Sequence, residues 1–70
     1  MKTATIEVYH VFGTRSCKSA DVLYRGQLLY RAAGLELQQK LLEDARKWAH
    51  SHGFTHVQVR HLDGRQLPSR

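Results

Sequence analysis

Seventy residues allow one domain at most, and a 41% hydrophobic content suffices for one helical layer on one sheet. A single cysteine, Cys17, excludes an intramolecular disulfide and fits a reducing compartment. No apolar run approaches the ~20 residues of a membrane span, and the opening residues lack a signal-peptide core, so a cytoplasmic location is expected.

Eleven Lys and Arg against six Asp and Glu give a net charge of +5 at pH 7, a balance that attracts polyanions in general. The excess falls on Lys2, Arg15, Lys18, Arg25, Arg31, Arg60, Arg65 and Arg70, outside the segment that reads as a helix.

Thr3 to Phe12 reads as a strand, with Ile6, Val8 and Phe12 on one face and Glu7 and Tyr9 on the other. His10 falls on the apolar face. Gly13 to Ser19 is a loop by composition; Arg15 and Lys18 could meet a phosphate there, but the glycine spacing of a P-loop is missing. Ala20 to Ala32 is too long for a usual strand and carries Gly26 in its middle. One long strand bent at Gly26, or a loop of three residues through it, keeps Val22, Tyr24, Leu28 and Tyr30 on one face. A two-residue loop would split them, so a hairpin with an odd loop is expected.

Leu35 to Gly53 has helical periodicity: Leu37, Leu41, Ala45, Trp48, Ala49 and His52 recur at three- and four-residue intervals, with Leu42 broadening the stripe. Glu36–Lys40 and Glu43–Lys47 are i,i+4 pairs in the favourable order. Gly34 serves as N-cap, and Gly53 suits a left-handed C′ position from which Phe54 folds back on Ala49. Phe54 to Leu62 is a second clear strand, with Val57 and Val59 on one face. Asp63-Gly64 signals a turn, and Pro68 limits further pairing.

The expected fold class is α+β: a single helix packed on one face of a three- or four-stranded, mainly antiparallel sheet, in the order β-β(-β)-α-β. It forms one domain over 1–70, with 63–70 a turn and possible frayed tail. The helical stripe packs on Ile6, Val8, Val22, Tyr24, Leu28, Val57 and Val59, leaving the other sheet face open.

That open face carries the functional expectation. Arginines interleaved with an aromatic suit nucleic acid, RNA or DNA, since guanidinium groups hold phosphates and rings stack on bases. The candidate residues are Tyr9, Arg25, Arg31, His56 and Arg60, joined by Arg15 and Lys18 of the loop. The alternative is a protein partner or homodimer, using Val11, Leu23 and Leu29 on the same face.

Nothing points to an enzyme. No catalytic triad, carboxylate pair or cofactor fingerprint is present, and no positioned base can be assigned to Cys17. His50 and His52 lie about 200° apart on a helix, and His56 and His61 differ in strand parity, so no metal site is expected. No cofactor, membrane or small-molecule substrate is implied.

The stretch from Leu23 to Arg65 resembles small bacterial and phage domains. Those end a helix with Ala-Arg-x-x-Ala, here Ala45 to Ala49, followed by a glycine, a strand and an Asp-Gly-Arg turn. That likeness is one of cap and turn chemistry and implies no activity. The strand–strand–helix order is also similar to part of double-stranded RNA-binding domains, but Gly34-Leu35-Glu36-Leu37 stands where those place a lysine cluster.

Overall fold

A computed structural model describes residues 2–11 and 13–66. Its elements are β1 (Thr3–His10), β2 (Ser16–Tyr24), β3 (Gln27–Leu37), α1 (Gln38–Ser51) and β4 (His56–Asp63), closed by a 3₁₀ turn over Gly64–Gln66. The sheet is mixed, in the order β3-β2-β1-β4. β1–β2 and β2–β3 are antiparallel, while β4 runs parallel to β1 at the far edge. The helix is therefore the crossover between the two edge strands, as a parallel pairing requires.

α1 lies over β1, β2 and β3. Leu41, Ala45 and Ala49 meet Ala4, Ile6, Val8, Cys17, Ala20, Val22 and Ala32, and Phe54 closes one end. Alanines on both sides let the helix approach the sheet closely. Tyr24, Tyr30, Leu42, Trp48, Val57 and Val59 pack around this core while staying partly exposed.

Several expectations are corrected. The hairpin loop has two residues, not an odd number: Tyr24 faces Gln27 across Arg25 and Gly26, whose φ of 53° and 78° are those of a type I′ turn. A bulge repairs the parity. Val22 faces Tyr30 but Leu23 faces Leu28, so Leu29 is an extra residue. Tyr30 thereby rejoins Val22 under the helix, whereas Leu28 joins Leu23 on the other face and leaves the core.

The helix starts at Gln38 rather than Leu35, because Leu35–Leu37 continue β3, with Leu37 opposite Ser16. Gly34 is thus no N-cap; the cap position is Leu37, which is 60% exposed instead of buried. The loop before β2 ends at Arg15, since Ser16 to Ser19 pair as strand. The C-terminal cap is as expected: Gly53 has φ +87°, Phe54 N–H donates to Ala49 O and Gly53 N–H to His50 O, a Schellman motif. Phe12 and the tail 67–70, with Pro68, lie outside the described residues.

Candidate nucleic-acid interface

The sheet face away from the helix is not a cationic surface. Register places Arg60, Glu7, Asp21 and Arg31 in one row across β4, β1, β2 and β3. Arg31 grips Asp21 with two bonds, Nε–Oδ1 at 2.9 Å and Nη2–Oδ2 at 2.7 Å. Ser19 Oγ donates to Asp21 Oδ1 at 2.9 Å, and the Asp21 side chain is only 3% exposed. Arg60 Nη1 reaches Glu7 Oε2 at 3.2 Å, and Tyr9 Oη donates to Glu7 Oε1 at 3.0 Å.

The row sums to zero charge. Tyr9 is buried, and burial together with its bond to Glu7 pushes the phenol pKa up. Of the expected open-face residues, Arg31, Arg60 and Tyr9 are thus tied into this network, and His56 stands at the start of β4 beside Thr3. Leu23 is half-buried, Leu29 is exposed, and Val11 follows the end of β1. Arg25 belongs to the hairpin turn, and Arg15 and Lys18 are exposed at the opposite end of the sheet.

Three cations with no ion-pair partner among the described residues, Lys2, Arg25 and Arg46, gather elsewhere. The N-terminal ends of β1 and β4, the β2–β3 turn and the C-terminal end of α1 meet at one pole of the molecule. Lys2 O accepts from Thr55 N–H at 3.1 Å and His56 N–H at 3.3 Å, which joins the start of the chain to β4. Lys2 Nζ lies 5.4 Å from the Phe54 ring centre and 5.9 Å from that of Tyr24. The two rings meet edge to face at 5.2 Å, and Arg25 Cζ stands 5.3 Å from the Tyr24 centre.

Beside Phe54 runs a groove between α1 and β4, lined by Arg46, Lys47, His50, Phe54, Thr55, His56 and Val57. Lys47 is engaged by Glu43 at 3.3 Å; Arg46 has no ion-pair partner among the described residues. The segments forming this pole, 2–5, 22–30 and 45–59, contain no Asp or Glu at all. All six acids lie outside them: Glu7, Asp21, Glu36, Glu43, Asp44 and Asp63. Sequence reasoning missed Lys2, Arg46 and His50 as a group because only the β1–β4 pairing brings residue 2 beside residue 55.

The opposite end holds a different cluster. His10 Nε2 and His61 Nδ1 share a hydrogen bond of 2.6 Å with their rings stacked. Burial, then His61, pushes the His10 pKa down. Cys17, opposite His10 on β2, is fully buried, and burial pushes its thiol pKa up. That is the environment of an unreactive thiol.

Among the described residues no group of three or more His, Cys, Asp or Glu side chains could hold a metal ion. No helix among them is long and apolar enough to cross a membrane. No protein family matches this chain, and neither a curated protein nor a solved structure shows significant similarity to it.

Proposed function

We propose that the protein is a small non-enzymatic nucleic-acid-binding module that works through the carboxylate-free pole rather than through the sheet face. The observation that carries this reading is the segregation of charge: Lys2 and Arg25 stand over the Tyr24 and Phe54 rings, and Arg46, His50 and His56 line the groove beside Phe54, which has no acid in its lining. Phosphates, the sequence-independent source of affinity for nucleic acid, need such a set of cations without competing carboxylates.

Arg25 adds support of a separate kind. Its φ of 53° is a conformation that Asn or Gly adopts with less strain, and type I′ turns favour those residues. An arginine held there at a cost to stability fits a residue kept for its guanidinium. The bland alternative, cations complementing the helix C-terminus, covers His50 and Arg46 but neither Arg25 nor Lys2.

Fluorescence anisotropy with labelled single- and double-stranded oligonucleotides tests the reading. Binding is expected at low salt, and Arg25→Gln with Arg46→Gln should weaken it about tenfold or more. Arg60→Gln on the neutral sheet face should change affinity less than twofold. No binding at tens of micromolar protein and low salt sinks the proposal.

A further inference from the structure

Among the described residues the exposed large hydrophobics are Leu29 at 37%, Leu35 at 73% and Leu37 at 60%. All three lie on β3, the eleven-residue strand at one edge of the sheet. β3 pairs with β2 on one side only, so its other row of backbone N–H and C=O groups has no strand partner among the described residues.

We infer that β3 is the seam of a homodimer, pairing antiparallel with β3 of a second copy about a two-fold axis near Ala32. This joins two four-stranded sheets into one continuous sheet with both helices on the same face.

The strand is built to complement itself in that register. It bulges twice: Leu29 is the extra residue of one bulge, and Gly34 with Leu35 together oppose Lys18 at the other. The bulges stand symmetrically about Ala32. An axis there sets Leu29 opposite the second copy's Leu35 and Tyr30 opposite its Gly34, which has no side chain to crowd the seam.

Charges also agree. Arg31 and Glu36 are the strand's only ionic residues. In this register they face Ala33 and Leu28 of the second copy, so no like charges meet. An axis perpendicular to the sheet is the one that makes an antiparallel isologous pair, and it keeps each residue's face unchanged. Above the seam, Glu36, Lys40, Glu43, Asp44 and Lys47 edge the groove between β3 and α1, a rim of both signs that two copies can share.

In this register Leu29 and Leu35 meet across the seam, where their burial supplies the apolar centre, while the charged residues beside α1 supply the polar rim. That division is the one stable protein interfaces show. A second copy fits this edge because both the bulge spacing and the charge pattern are symmetric about one residue. A foreign strand would have no reason to match them.

Sedimentation equilibrium from about 1 to 500 µM is expected to show a species of twice the 8.1 kDa chain mass, little changed by added salt. Leu29→Arg with Leu35→Arg should weaken association at least about a hundredfold, since each change counts twice across the axis. Both sites are exposed, so the circular dichroism spectrum should stay unchanged.

Mixing a Leu29→Cys variant with a Leu35→Cys variant under mild oxidation should give one cross-linked heterodimer, with neither variant linking to itself. Cys17 is buried and should not compete. This second test stands even if the double arginine variant fails to fold. A monomer at every concentration overturns the inference, as does a dimer that survives both arginines or that forms without the mixed cross-link.

Discussion

Asp21 shows how a carboxylate can be nearly fully buried on a sheet face that no helix covers. Arg31 lies over it, and Ser19 and Arg31 together supply its hydrogen bonds. Removing Arg31 leaves that charge buried without its partner, so Arg31→Met should cost on the order of 3 kcal/mol. Arg60→Met breaks a pair whose arginine is 62% exposed and should cost under about 1 kcal/mol. Urea denaturation of both variants checks the difference, and equal losses would contradict it. His10 gives the pH dependence. Its folded pKa lies below the ordinary 6.5, so the unfolded chain takes up the proton first. The contribution of His10 is then fully present above about pH 6.5 and is lost as pH falls below it. Denaturation midpoints across that range should show the decline, and His10→Asn should flatten it. Gly64 is fixed by sterics: a Cβ there would stand 2.5 Å from the backbone oxygen of His10, so Gly64→Ala must displace the turn or the strand end.

At the scale of elements, the strengths and failures of the sequence have physical causes. The Schellman cap at Gly53 and the turn at Asp63-Gly64 depend on local chemistry, and local chemistry is written in consecutive residues. The start of the helix is not. Leu35 and Leu37 fit helical spacing and strand alternation equally, and the decision falls to a long-range pairing with Ser16 and Cys17. The β2–β3 hairpin misled for a related reason. Parity predicted an odd loop because Val22, Tyr24 and Tyr30 share the core face, but a bulge at Leu29 satisfies the same parity with a tighter turn. Arg25→Asn should relieve that turn and raise stability by about 0.5–1 kcal/mol, while weakening nucleic-acid binding. Opposite signs for stability and affinity are the expected signature. In α1, Ala45 is fully buried against the sheet, so Ala45→Leu should cost about 1–3 kcal/mol. Trp48 is only half-buried, stacked between or beside Tyr30 and His52 at ring distances of 5.1 and 3.9 Å. Trp48→Ala should accordingly cost about 2 kcal/mol, less than the 3–5 of a fully buried tryptophan.

For the whole molecule, the α+β class and the single helix over a sheet were legible from periodicity alone. The charge map was not. Arg31 and Arg60 counted as available cations in the sequence because their carboxylate partners are 10 and 53 residues away. In the sequence Lys2 counts only toward the net charge and nothing joins it to Arg46, because their neighbourhood exists only after β4 has crossed to pair with β1. Folding thus neutralises the face where arginines alternate and gathers Lys2, Arg25 and Arg46, which have no ion-pair partner among the described residues, at the end where the acids are missing. The measurement that tests this most directly is the salt dependence of oligonucleotide binding, compared between the native chain and the Arg25→Gln, Arg46→Gln variant. Each lost phosphate contact should reduce the slope of log K against log salt by about 0.7–0.9, so the variant should show a slope shallower by roughly 1.5. A variant that keeps the native slope, or a native chain that binds no oligonucleotide at low salt, would contradict the account.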